Sequence, residues 1–148
     1  MPQIPDRLHI DRDDRELYDK LQTDSLFAST ERKEQFLIAM AFGFKGKTRR
    51  QLENKETSGF FRTSYLRPED EALINAVAIC DTGSVDVLVD RAEVFRIAEE
   101  YAHAGIRILV NEWQSTQFAS YAKRFEKDLF DMYNSIHSER QEDEDTSG

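Results

Sequence analysis

Phe36-Leu37-Ile38-Ala39-Met40-Ala41-Phe42-Gly43-Phe44 is the longest unbroken apolar stretch of the chain, and its reading decides the fold. Nine apolar residues in a row suit either a buried strand or a helix covered on nearly every side. The Ala and Met content, and the polar turn Glu31–Gln35 before the run, favour a helix capped by Ser29 or Thr30. So read, it is the most buried helix and the centre of the domain. It is also far short of the roughly 20 residues that cross a bilayer.

Helical patterns flank it on both sides. Toward the C-terminus, Pro68 suits the first position of a helix, Glu69, Asp70 and Glu71 suit its positive end, and Gly83 suits its stop. Leu73, Ile74, Ala76, Val77 and Cys80 form its expected inward stripe. Val85–Val89 stays open between strand and helical turn. Asp90-Arg91-Ala92-Glu93 has the spacing of a capping box. The helix it starts turns Val94, Ile97, Ala98 and Tyr101 inward and is expected to stop at Gly105, with a further segment, read as helix, over Ile106–Trp113. The last element, about Thr116 to His137, places Phe118, Tyr121, Ala122, Phe125, Leu129, Met132, Tyr133 and Ile136 within an arc of about 120°.

Between the run and Pro68, residues 45–66 read as a long connector with a short helix near Arg49–Asn54, pinned by Phe60 and Phe61. Arg7-Leu8-His9-Ile10-Asp11 alternates as a short strand does, and Asp11 or Asp13 caps a helix to about Gln22. The expected class is all-α or mostly α, with five to six helices and at most one or two short strands. One helical domain over 1–137 is expected, with 1–6 a loose leader. The tail, 138–148, has five acids, one Arg and no apolar side chain, the composition of a disordered segment.

The chain has 148 residues, one cysteine and three separated histidines, which argues against disulfides and against a structural metal. The start lacks a basic region followed by an apolar run, so a cytoplasmic location is the default expectation. The net charge of −9 suits a soluble protein and disfavours indiscriminate DNA coating. Lys45 to Arg67 is the exception. It holds seven cations, Lys45, Lys47, Arg49, Arg50, Lys55, Arg62 and Arg67, against Glu53 and Glu56, a local +5 in a remainder of −14. The functional reading is a phosphate-contacting loop. The plain one is a solvated connector whose cations suit the C-terminal end of the preceding helix.

A strand followed by two helices also fits a ribbon–helix–helix regulator, dimeric through residues 7–11, with Arg7, His9 and Asp11 outward. The last helix is another route to a homodimer. Glu53-Asn54-Lys55 has the spacing of a nuclease metal site but lies in a loop. No phosphate loop, dinucleotide fingerprint, nucleophile elbow or zinc-protease motif occurs. Cys80 and Trp113 read as core. The residues therefore point to a binding module with no cofactor and no catalytic residue.

Three stretches together resemble a family. They are Leu8-His9-Ile10-Asp11 with Glu16-Leu17-Tyr18-Asp19-Lys20-Leu21, the run Phe36–Phe44 with Lys45-Gly46-Lys47-Thr48-Arg49-Arg50, and Asp70-Glu71-Ala72-Leu73-Ile74-Asn75-Ala76-Val77-Ala78 with Thr82-Gly83. Glu99-Glu100-Tyr101-Ala102 and Ala104-Gly105-Ile106 extend the match. The chain is similar to the DNA phosphorothioation-associated protein 4 family, over about residues 7–110. The resemblance implies an accessory, non-enzymatic component of a phosphorothioation-linked defence system. Its implied partners are DNA or the proteins of the modification and linked restriction machinery, and no catalytic residue carries over. The competing reading is a protein–protein adaptor that never touches DNA.

Overall fold

The computed structural model describes residues 4–24, 27–114 and 126–136. In chain order the elements are strand β1 (Arg7–Leu8), helix α1 (Arg15–Thr23), helix α2 (Arg32–Lys45), strand β2 (Phe61–Arg62), helix α3 (Pro68–Thr82), helix α4 (Arg91–Gln114) and helix α5 over 126–136. Short 3-10 turns occupy Arg12–Asp14, Thr63–Tyr65 and Val85–Val89. The protein is mostly α-helical, with one two-stranded antiparallel sheet among the described residues. The chain divides into two compact units, Met1–Val110 and Asn111–Gly148.

The apolar run is helical, and Phe36, Leu37, Ala39, Met40 and Gly43 of α2 are buried. Its N-cap falls one residue after Thr30 and two after Ser29. Glu31 is the N-cap, and its backbone N–H donates to Glu34 Oε2 at 3.3 Å.

The most buried helix is α4, not α2, and α4 runs straight through Gly105, the expected stop. The reason is close packing. A Cβ built on Gly105 would lie 1.7 Å from the Ala39 carbonyl oxygen, and one on Gly43 would lie 2.0 Å from that of Tyr101. The two helices meet backbone to backbone at these glycines, so Gly105 serves a crossing rather than a terminus. Residues 106–113 simply continue the helix.

The polar residues of α4 are buried as well. Glu99, Glu100 and His103 are covered by the N-terminal segment and the connector, which supply their partners. His103 Nδ1 lies 2.5 Å from Asp14 Oδ2, and Arg107 Nη1 lies 2.9 Å from Asp14 Oδ1. Asp11, expected to face outward, is buried. Its Oδ1 accepts from Asp13 N, and its Oδ2 accepts from Glu53 N at 3.0 Å and Asn54 N at 2.9 Å. Burial alone would raise its pKa. These backbone donors, with His103 nearby, outweigh burial and hold it below the usual carboxylate range.

β1 pairs with β2 of the same chain, Arg7 opposite Arg62 and Leu8 opposite Phe61. Leu8 and Ile10 are buried as expected. The internal pairing, with Asp11 turned inward, corrects the ribbon reading: the strand is used within its own fold.

On α3, Pro68 opens the helix and Gly83 closes it with φ at +75°, as expected. The inward stripe is Ile74, Val77 and Ala78. Leu73, Ala76 and Cys80 are exposed, so the buried arc of α3 is narrower than the expected stripe.

Of the stripe expected in the last helix, Phe118, Tyr121, Ala122 and Phe125 lie outside the described residues. Leu129, Met132, Tyr133 and Ile136 fall in α5 and are exposed. Residues 138–148 also lie outside the described residues. None of the described helices is long and apolar enough to cross a membrane.

Candidate nucleic-acid interface

The connector starts where α2 ends at Gly46. Lys47 follows in the left-handed region, φ +52°, and Thr48 N returns to Gly43 O at 2.9 Å. No helix forms at 49–54. The backbone instead runs beside the N-terminal segment. Arg50 N donates to Glu100 O, Arg12 N to Asn54 O, Glu56 N to Ile10 O, and Phe60 N to Leu8 O. These partners lie roughly 40–50 residues apart in sequence, as the pairs Arg12–Asn54 and Leu8–Phe60 show. Local propensity could not reveal them.

The seven connector cations separate into different roles. Arg49 is half-buried and fully engaged. Its Nη1 lies 2.6 Å from Asp81 Oδ2 and its Nε lies 3.0 Å from Glu100 Oε1. Tyr101 donates its hydroxyl to the other Asp81 oxygen at 2.5 Å, and burial with that bond pushes the phenol up to about 12. Arg49 therefore ties the connector to α3 and α4. Lys55 sits 3.9 Å from Glu99 Oε1. Lys45, Lys47, Arg50 and Arg62 are exposed and lack a carboxylate partner among the described residues. Arg67 is exposed beside Asp70, whose carboxyl is held low first by its bond with Lys33 and in part by the Arg67 charge.

These cations do not form one patch. Lys45 and Lys47 lie at the C-terminal end of α2. Arg62 lies near Arg32 and Lys33 at the N-terminal end, roughly 20 Å away at 1.5 Å per residue. There the structure adds residues that the sequence reading did not group. Arg7, Arg32, Arg62, Phe60 and Tyr65 line an open groove of about 530 Å³, with Glu31 as its acid. Arg32 pairs with Asp19 and lies over the Phe60 ring, 5.4 Å from its centroid. Only the alternation at 7–11 hinted at Arg7. Its meeting with Arg62 depends on the pairing of β1 with β2.

Acid–base groups gather elsewhere, on α4. Burial raises Glu99 to about 7, against smaller opposing effects from Lys55 and the His9 N–H. Glu99 Oε2 accepts from His9 N at 2.5 Å and lies 3.0 Å from His9 Nδ1. Burial first, then the Lys55 charge, lowers the imidazole. Both shifts favour a neutral pair that shares one proton, a structural link between β1 and α4. Glu53 is exposed, and its backbone caps Asp11, so the Glu53-Asn54-Lys55 spacing assembles no further acids around it. Among the described residues, no group of three or more His, Cys, Asp or Glu could hold a metal ion.

Neither curated proteins nor solved structures show a match to this chain. A family model does match, over residues 7–147, well past the stretch that carries the resemblance. The match takes in β1, all four helices of the first unit and the connector between α2 and β2, as well as α5. The chain belongs to the family of DNA sulphur modification system-associated protein 4 and is thereby linked to a DNA sulphur modification system.

Proposed function

We propose that the protein is a non-enzymatic accessory component of its DNA sulphur modification system that contacts DNA directly. One observation carries this reading. Arg15, Arg32, Lys33, Arg49, Lys55, Arg96 and Arg107 each have a carboxylate partner, whereas Lys45, Lys47, Arg50 and Arg62 are left to solvent in a chain with a large excess of acid. Arg7, Arg12, Lys20 and Arg91 also lack a carboxylate partner among the described residues but are scattered along the chain, whereas Lys45, Lys47 and Arg50 fall within six residues and suit a partner that brings its own negative charge, such as a phosphate backbone. The acidic remainder repels DNA and confines contact to the basic C-terminal end of α2 and, separately, to the groove at Arg62. The cytoplasm, a role in defence, and contacts with the modification or restriction proteins belong to the same proposal.

The test is fluorescence anisotropy with a labelled duplex over a salt series. Affinity should fall as salt rises. Replacing Lys45, Lys47 and Arg50 together by Gln should weaken it and flatten the salt slope by about one for each phosphate no longer neutralised. Absence of binding even at low salt would replace this reading with the protein adaptor.

A further inference from the structure

The groove at the N-terminal end of α2 contains an electrostatic conflict. The bond from Thr63 N to Asp6 O flanks the Arg7–Arg62 pair, so the two arginines face each other at a non-hydrogen-bonded position, where side chains come closest. Like charges placed so destabilise a ribbon. No carboxylate pairs with either one among the described residues. Arg7 is also held in place. Its stem crosses Gly59, where an added Cβ would come within 2.9 Å of Arg7 Cδ, and its Nη1 donates to Ser58 O at 2.6 Å. Gly59 itself has φ at +77°. Beside the arginines, Tyr65 is 63% exposed, although aromatic rings are normally drawn into the core.

We propose that this groove binds a nucleotide unit, its phosphate between Arg7 and Arg62 and its base stacked on Tyr65. Two arginine forks suit one phosphate better than any single cation does. An exposed aromatic ring beside a cationic groove is the usual platform for an unpaired base, and a duplex interior offers no such face. The volume of about 530 Å³ lies within the range of small-ligand sites. Glu31, next to Arg32 in the lining, disfavours a second phosphate there. The unit belongs to an unpaired strand or strand end, or is a free nucleotide. The proposal deepens the DNA reading, since Arg62 belongs to both.

The full chain is titrated by anisotropy against a labelled single-stranded ten-nucleotide thymidine oligomer and a blunt duplex, and by tyrosine fluorescence against free thymidine monophosphate. Tyr65→Ala should weaken binding of the single strand at least five-fold, in line with the loss of one stacked base, and leave the duplex nearly unchanged. Arg62→Gln should weaken the single strand and lower its salt slope by about one. Both residues are exposed, and unchanged melting curves would confirm that the variants fold. If both variants bind the single strand as the wild type does, the groove proposal is overturned, even where the Lys45, Lys47, Arg50 variant has lost duplex binding. If monophosphate binding depends on Arg62 while no DNA binds, the groove stands as a nucleotide pocket and the DNA reading falls.

Discussion

Gly105→Ala sets local propensity against tertiary packing, and the two forces predict opposite signs. Gly105 lies inside α4, where replacing Gly by Ala ordinarily gains about 1 kcal/mol. In this fold the new methyl carbon would sit 1.7 Å from the Ala39 carbonyl oxygen and 2.7 Å from its carbonyl carbon. Even a close C–H to oxygen contact needs about 3.3–3.6 Å. The helices must therefore part by more than about 1 Å, and such a gap forfeits a quarter to a half of each dispersion contact along the crossing. Overpacking costs roughly 1–3 kcal/mol and occasionally more, and because backbone rather than a flexible side chain is in the way here the cost lies above that range, at about 4 kcal/mol before the helix gain is subtracted. A net loss of about 3 kcal/mol is expected. That is a large part of the roughly 5–15 kcal/mol that holds a domain together. Urea denaturation followed by circular dichroism should show the midpoint falling by about 1–3 M at ordinary slopes. Gly43→Ala should behave alike, its Cβ falling 2.0 Å from the Tyr101 oxygen. A midpoint that stays put or rises in Gly105→Ala would refute the backbone crossing as the reason this helix carries glycine.

The remaining expectations concern charge and the turn after α2. Because Glu99 titrates near 7 when folded and near 4.5 in its ordinary state, the folded protein binds the extra proton between those values. The Glu99 contribution to stability should therefore fall as pH rises from about 4.5 to about 7, by an amount on the order of 3 kcal/mol, partly offset by His9, whose lowered pKa acts in the opposite direction. Glu99→Gln should flatten that part of a melting-temperature profile, and an identical slope in the variant would exclude Glu99 as its source. Arg49→Ala should cost roughly 1–3 kcal/mol, since it leaves Asp81 and the buried Glu100 short of a partner. Among variants that remain folded it should leave the salt dependence of DNA binding unchanged, and a flattened slope would return Arg49 to the phosphate contacts. Lys47 occupies the left-handed region at a cost of about 1–2 kcal/mol, partly offset by the entropy that glycine would lose there. Lys47→Gly should thus raise the melting temperature by a few degrees while weakening DNA binding, and a variant that both melts lower and binds as before would contradict both roles.

The sequence by itself determined what depends on neighbours along the chain. Pro68, the acids after it and Gly83 delimit α3. Asp90 and Glu93 start α4, and the Ala and Met content of the Phe36–Phe44 run, with the polar turn before it, favours a buried helix. The helical class, the family resemblance and the local charge of 45–67 were legible for the same reason. What the tertiary structure decided concerns pairs of residues distant in sequence. Gly105 looks like a stop until α2 is laid against it. Asp11 and Arg49 look like surface charges until the connector and α4 enclose them. Arg7 and Arg62, far apart along the chain, form one site only through the pairing of β1 with β2. A one-dimensional pattern records how far each residue prefers to be buried, but not which partner makes burial or exposure tolerable to it. For charged residues that partner outweighs intrinsic preference, because a buried ion persists only where an opposite charge or a set of hydrogen bonds meets it.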